Sequence, residues 1–313
     1  MKKTMSLSLF LLVLAFLLAA CGSHQSSDTK EQSKKSQKEE QTTKVYQSEN
    51  GPVKVPKHPK RVVLLSSYFA GDVASLGVNI VGVDKWGKTS PVLKDKLKNA
   101  KVVSDQDLEE IIDLHPDLII GLSNTKNIDK LKQIAPTVTY TYGKLNYLDQ
   151  YTAIGELLGK EKEAKKWVED FKQRSEALGK KIKAKIGEDA TVSVIEKFDK
   201  QFYVYGDNWA RGTEILYQAM GLKMPKKVKE TALKKGYQAI SPEAIPEFAG
   251  DYIVLVQEPG KSNSFEQTKT YKNIPAVKNG RVIKVNAKAF DFNDPLSLDY
   301  ELKVFEKAFL DKK

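Results

Sequence analysis

Apolar and polar residues follow two rhythms along this chain, and the switch between them outlines its architecture. From Arg61 onward, short continuous apolar runs are separated by amphipathic stretches. "RVVLLSS" (Arg61 to Ser67), "VNIVGVD" (Val78 to Asp84), "PDLIIGL" (Pro116 to Leu122) and "PTVTYTY" (Pro136 to Tyr142) read as buried strands. Helical spacing appears in "DLEEIIDL" (Asp107 to Leu114) and "NIDKLKQI" (Asn127 to Ile134). Strands that are apolar throughout and alternate with helices predict a parallel α/β sheet. A short hairpin arm is expected just before it, in "YQSENGPVKV".

The rhythm changes at Lys160. From there to Ile186 no proline occurs, and Ala164, Trp167, Val168, Phe171, Leu178, Ile182 and Ile186 fall at helical spacing. At 1.5 Å per residue this is about 40 Å of helix, long enough to join two lobes. Alternation then resumes with "TVSVIEKF", "QFYVYG", a helix from Asn208, "DYIVLVQ", "GRVIKVN" and a final helix from Pro295. The second half also echoes the first. "DLEEIIDLHPDLII" (Asp107 to Ile120) aligns without gaps to "SPEAIPEFAGDYIV" (Ser241 to Val254). Glu109 falls on Glu243, Ile111 on Ile245, Asp117 on Asp251 and Ile119 on Ile253. Two lobes of similar build are expected.

The N-terminus departs from both rhythms. Lys2 and Lys3 precede the apolar run "LSLFLLVLAFLLAA" (Leu7 to Ala20), too short for a stable span and typical of a signal peptide. It ends in "LAAC", which resembles the lipobox of bacterial lipoproteins. Cys21, the chain's one cysteine, would then carry a diacylglycerol anchor. Residues 22–44 contain no large apolar side chain that could seed a core, and read as a polar disordered tether. The expected organisation is a signal peptide (1–20), tether (21–44), N-terminal lobe (45–159), interlobe helix (160–187) and C-terminal lobe (188–313). The net charge of +11 is spread as lysines, which fits a surface facing an anionic envelope better than nucleic-acid binding.

These features together resemble the ABC-transporter substrate-binding proteins that carry iron-siderophores, haem or cobalamin. "HPKRVVLL", "PDLII" and "YKNIPAVKNGRVIKV" (Tyr271 to Val285) carry the likeness from about Val53 onward. Within that family, "YGDNWARGTEILYQAMGLK" (Tyr205 to Lys223) and "FNDPLSLD" (Phe292 to Asp299) resemble the ferric-hydroxamate binders of Gram-positive bacteria. The resemblance implies a two-lobed fold of the class III periplasmic-binding type and a monomer with no cofactor of its own. It also implies a ferric siderophore as ligand, an ABC permease with its cytoplasmic ATPase as partner, and lipid anchorage on the outer face of the cell membrane.

A ferric trihydroxamate is nearly neutral, and the siderophore fills all six positions on the iron. Its receptor needs apolar aromatic walls and a few directed donors rather than metal ligands. The three histidines, His24, His58 and His115, are scattered, which argues against a zinc or manganese site. Loops at strand C-termini supply the cleft candidates. They are Tyr68, Trp86 and Tyr142 in the first lobe, and Phe198, Tyr203, Trp209, Arg211, Phe290 and Phe292 in the second. Trp209 and Arg211 are placed in the first turn of the helix from Asn208, capped by Asp207 or Asn208. By resemblance, Trp209 and Arg211 contact ligand, as do Tyr142 and Tyr203. Asp291 stands where relatives can carry a tryptophan. Glu109 and Glu243 would dock onto the permease. Each aromatic has core packing as its alternative, Arg211 a structural ion pair, and each glutamate a solvated helix face. Haem (through a tyrosine ligand) and cobalamin stay open as cargo. An exported enzyme is the remaining alternative, although G-x-S-x-G, H-E-x-x-H and phosphate-binding glycine loops are all missing from the sequence.

Overall fold

The computed structural model describes residues 42–199, 201–260 and 264–311. The chain divides into an N-terminal segment, Met1–Lys44, and a compact unit, Val45–Lys313. The apolar leader, Cys21 and nearly all of the polar segment lie outside the described residues.

Strands β1 (Thr43–Ser48) and β2 (Gly51–Pro56) form the hairpin arm. Next come β3 (Val62–Leu64), β4 (Ile80–Val83), β5 (Lys101–Val102), β6 (Leu118–Leu122) and β7 (Thr137–Tyr140). They make a five-stranded parallel sheet in the order β5-β4-β3-β6-β7. Side chains alternate between its faces. Val62, Leu64, Leu118 and Ile120 enter one core, while Val63 and Ile119 enter another with Ile111 and Leu131. Both faces are covered by helices, which explains why these strands read as unbroken apolar runs.

The long helix spans Glu161–Ile186. It buries Ala164, Phe171, Ser175, Leu178, Gly179 and Ile182, while Trp167 and Val168 pack against the cores of both lobes. Gly179 has a specific reason to be small: a Cβ there would lie 2.3 Å from the Met220 carbonyl oxygen. Arg174 pairs with Asp170 on the helix and with Asp299 on the final helix, Pro295–Leu310.

The second sheet contains β8 (Val192–Phe198), β9 (Gln201–Tyr205), β10 (Tyr237–Ile240), β11 (Tyr252–Gln257) and β12 (Val282–Asn286), ordered β10-β9-β8-β11-β12. Here β8, β11 and β12 run parallel, but β9 is antiparallel to β8 and to β10. The short β8–β9 connection permits only a hairpin, so this sheet is mixed rather than wholly parallel.

The internal echo corresponds to equivalent positions. β6 sits between β3 and β7, and β11 sits between β8 and β12. Ahead of β6, Asp117 accepts the backbone N–H groups of Lys60 and Arg61 at 2.7 and 2.9 Å, fixing the entry of β3. Ahead of β11, Asp251 accepts the N–H and hydroxyl of Thr191 at 2.8 and 2.9 Å, fixing the entry of β8. Ile111 and Ile245 are both buried on the preceding short helices.

A second crossing between the lobes comes near the C-terminus. Phe290 lies in the core of the C-terminal lobe, and Phe292 in the core of the N-terminal lobe. Asp294 caps the final helix by accepting the N–H groups of Leu296 and Ser297. The cap sits directly on Gly71, where a Cβ would meet the Asp294 carboxyl at 1.8 Å.

Candidate functional site

The chain after β9 does not continue into a helix at Asn208. Ala210, Arg211 and Gly212 take left-handed φ values of 53°, 59° and 81°, and a π-helical turn then runs Glu214–Ala219. Three consecutive backbone N–H groups are satisfied individually. Trp209 donates to Thr213 Oγ1 at 3.1 Å, Ala210 to Glu214 Oε1 at 3.0 Å, and Arg211 to the Phe290 carbonyl at 2.7 Å. Those bonds hold two non-glycine residues in a conformation that costs of order 1 kcal/mol or more each. Gly212 is required by space as well as by φ, since a Cβ would lie 2.5 Å from the Phe305 ring. Trp209 and Arg211 are therefore turn residues, and neither Asp207 nor Asn208 caps the π-helical turn.

Arg211 is held from several sides. Nε donates to Glu196 Oε2 at 3.1 Å, Nη2 lies 3.6 Å from Asp291 Oδ1, and the guanidinium stands 5.4 Å from the Tyr205 ring centre. The Tyr205 hydroxyl donates to the same Glu196 oxygen. Burial works against the Arg211 charge, but Glu196, Tyr205 and Asp291 outweigh it and raise its pKa. Burial likewise pushes the Asp291 carboxyl up, against the pull of Arg211 and of the Trp86 indole, which donates to Oδ2 at 3.2 Å. The Nη1 contact to the Trp209 carbonyl is long, 3.5 Å. The guanidinium thus keeps donor capacity beyond its single short bond.

Around this network runs a row of aromatic rings. Trp86 lies 6.0 Å from Tyr68, Tyr68 4.7 Å from Tyr142, and Tyr142 6.3 Å from Trp209 across the lobes. The row continues from Trp209 to Tyr237 at 4.8 Å, to Tyr203 at 5.8 Å, and to Tyr205 at 6.5 Å. Trp86 and Tyr142 are 41% and 50% exposed, unusual for large rings and characteristic of a binding surface.

Beside the row opens a cleft of about 590 Å³. Tyr68, Tyr142 and Tyr147 line it from the N-terminal lobe, and Trp209, Glu214 and Gln218 from the C-terminal lobe. Asn146, Gln150, Asn208 and Asn293 add amides. On the first lobe the lining follows strand C-termini: Tyr68 after β3, Leu122 at the end of β6, Tyr142 after β7. On the second it comes from the turn after the antiparallel β9. Burial, Tyr68 and Glu214 push the Tyr142 hydroxyl up to about 12 while Arg211 pulls it down, so the tyrosine is a neutral donor.

The structure brings together Trp86, Tyr68, Tyr142, Trp209 and Tyr203 in one aromatic row, with Arg211 behind it against Tyr205; Tyr68, Tyr142 and Trp209 line the cleft itself, while Trp86, Tyr203 and Arg211 stand beside it. Three candidates fall elsewhere. Phe290 is 1% exposed and packs on Phe305 and Tyr300, so it belongs to the core. Its backbone carbonyl, not its ring, serves the site. Phe198 ends β8 at the hairpin, 59% exposed, and is not among the cleft-lining residues. Phe292 is also buried, backing Tyr68 and Trp86. Glu196, Tyr237 and Tyr147 were missed. A lone glutamate inside the apolar strand "VSVIEKF" is the signal that marks Glu196 in the sequence. Glu109 and Glu243 are exposed in the first turns of their short helices. Among the described residues no group of three or more His, Cys, Asp or Glu could hold a metal ion.

Two α/β lobes bridged by one long helix, with an aromatic cleft between them, define a bilobal ligand receptor. A family model described as periplasmic binding protein matches residues 62–289, and the chain belongs to that family. It is a substrate-binding protein and not an enzyme. It is 38% identical over 312 residues to the iron(3+)-hydroxamate-binding protein FhuD of Bacillus subtilis (strain 168), covering 98% of each chain. It is 37% identical over 313 residues to YxeB, another iron(3+)-hydroxamate-binding protein of the same organism, covering 97% of this chain and 96% of that one. Among solved structures it is similar to FhuD2 from Staphylococcus aureus with bound ferrioxamine B, at 41% identity and TM-score 0.77, over 81% of this chain and 99% of that one. The FhuD protein from S. pseudintermedius gives 38% identity and TM-score 0.79, over 86% and 99%. Among the described residues no helix is long and apolar enough to cross a membrane.

Proposed function

We propose that this chain is the receptor for ferric hydroxamate siderophores in an ABC iron importer. The observation that carries the reading is the aromatic row through Tyr142 and Trp209, with Arg211 behind it, in a chain similar along nearly its whole length to hydroxamate-binding relatives. A hydroxamate complex offers apolar methylene spacers and a rim of oxygens. Aromatic faces cover the spacers, and the tyrosine hydroxyls, amides and remaining guanidinium N–H groups address the oxygens. The iron needs nothing from the protein. Trp209, Arg211, Tyr142, Tyr203, Trp86 and Tyr68 are the contacting set.

Delivery uses the opposite-lobe pair Glu109 and Glu243, which dock onto the permease. Cys21 carries the lipid that tethers the protein, as a monomer, to the extracellular face of the membrane. The test is a fluorescence titration of protein lacking residues 1–21 with iron-loaded desferrioxamine, ferrichrome and haem. The ferric hydroxamates should quench tryptophan emission saturably. Tighter binding of haem, or no response to any siderophore, overturns the reading.

A further inference from the structure

The cleft runs against the charge of its own protein. The chain carries 51 Lys+Arg and 40 Asp+Glu, a net charge of +11. Yet the residues lining the cleft include Asp72, Asp207 and Glu214 and no lysine or arginine. The nearby Arg211 is flanked by two carboxylates, Glu196 at 3.1 Å and Asp291 at 3.6 Å. Lys144 and Lys288 stand outside the lining, the former paired with Glu49 at 3.3 Å.

Asp291 occupies a singular position in this arrangement. The residues on either side of it are buried in different lobes, Phe290 in the C-terminal core and Phe292 in the N-terminal core. One Asp291 oxygen faces Arg211 from the C-terminal lobe, and the other accepts the Trp86 indole of the N-terminal lobe. The carboxylate is thereby held between the two lobes, beside the guanidinium.

We propose that Asp291 sets the charge of the cargo: standing beside a cleft whose lining holds no lysine or arginine, it offsets Arg211 and makes the receptor select neutral or cationic ferric complexes and reject anionic ones. The proposal rests on the siderophore reading of this cleft. The cationic class is a hydroxamate chelator with a free ammonium on its tail. Asp207, half-buried at the rim with no ion pair among the described residues, is the carboxylate placed to receive it. One unit charge acting across ~10 Å at an effective dielectric near 20 changes affinity on the order of tenfold.

The test uses one chelator with three tails, so that shape and iron coordination stay constant. Ferrioxamine B carries a terminal ammonium, its N-acetyl derivative is neutral, and its N-succinyl derivative is anionic. Affinities are measured by titration for the wild type, Asp291→Asn and Asp207→Asn, with unfolding temperatures alongside. The wild type should bind the ammonium and acetyl forms at least about tenfold more tightly than the succinyl form. Asp291→Asn keeps an oxygen for Trp86 but removes the charge, and should improve binding of the succinyl form while narrowing the ratio. Asp207→Asn should weaken the ammonium form relative to the acetyl form; if Asp291→Asn fails to fold, the wild-type ranking of the three tails remains the deciding readout. Equal wild-type affinity for all three tails overturns the proposal while leaving the siderophore reading intact. A parallel loss for all three in Asp291→Asn makes that residue purely structural and overturns its assignment. Binding of none of the three defeats the underlying reading itself.

Discussion

Arg211→Ala is the perturbation with the most to say about this site, because it acts on fold and ligand through different partners. The side chain is 11% exposed, and its partners Glu196 and Asp291 are 3% and 11% exposed. Removing one member of a buried charged pair costs roughly 3–5 kcal/mol, chiefly by leaving the other charge uncompensated. For a chain of this size about 1 kcal/mol moves Tm by roughly 2–4 °C, so a fall on the order of 10 °C is expected at neutral pH. The pH dependence follows from Asp291. Its folded pKa is already raised by burial and is held down by Arg211. Without the guanidinium it rises further. A carboxyl with a raised folded pKa contributes stability that is present below the unfolded pKa and lost as pH rises through the folded one. The deficit of Arg211→Ala should therefore be larger at about pH 8 than at about pH 5. Thermal and urea unfolding at both values measure it. Adding Glu196→Gln and Asp291→Asn to Arg211→Ala should restore most of the stability but none of the siderophore affinity. An unchanged Tm for Arg211→Ala would refute the buried ion network. Recovery of affinity together with stability would make Arg211 structural and remove it from the contacting set.

Trp209→Ala and Tyr142→Ala should each weaken ferric hydroxamate binding by about 2 kcal/mol, roughly thirtyfold, with little change in Tm, since both act as partly exposed aromatic anchors. Calorimetric titration beside a melting curve separates the two effects. Charge reversal of both Glu109 and Glu243 to lysine should abolish iron uptake by cells while shifting affinity less than about twofold; a large affinity loss would place them at the cleft. Glu301 is 1% exposed, its Oε1 has no hydrogen-bond partner among the described residues, and burial with Glu214 and Asp294 nearby holds its pKa well above the ordinary value. Stability should accordingly fall as pH rises above the ordinary carboxylate range, and Glu301→Gln should flatten that fall in urea unfolding; an unaltered slope would contradict it.

Much of the architecture was legible because it is periodic. The interlobe helix shows in the spacing from Ala164 to Ile186, and the paired lobes show in the echo that equates Asp117 with Asp251, two carboxylates that fix strand entries in the same way. The cleft aromatics of the first lobe followed from the rule that ligands meet strand C-termini. The rule was weaker in the second lobe, where β9 turns back and its own trailing turn supplies the wall. Periodicity also misled at Asn208. The left-handed run through Ala210 and Arg211 is imposed by bonds to Thr213, Glu214 and Phe290, and only Gly212 hints at it locally. Phe290 and Phe198 show the same limit from the side of burial. An aromatic after a strand can face a core, a cleft or solvent, and its neighbours in sequence do not say which. The Arg211 network was hidden because Glu196, Tyr205 and Asp291 reach it from β8, β9 and the segment after β12, which only the assembled second sheet brings together.

The most direct measurement is a crystal structure of the protein with ferrioxamine B. The iron should lie between the lobes against Tyr142 and Trp209, with its oxygens contacted by protein donors that include Arg211 and with no side chain bound to the metal. Density for the complex away from the aromatic row, or a protein side chain in the iron's coordination sphere, would contradict the account.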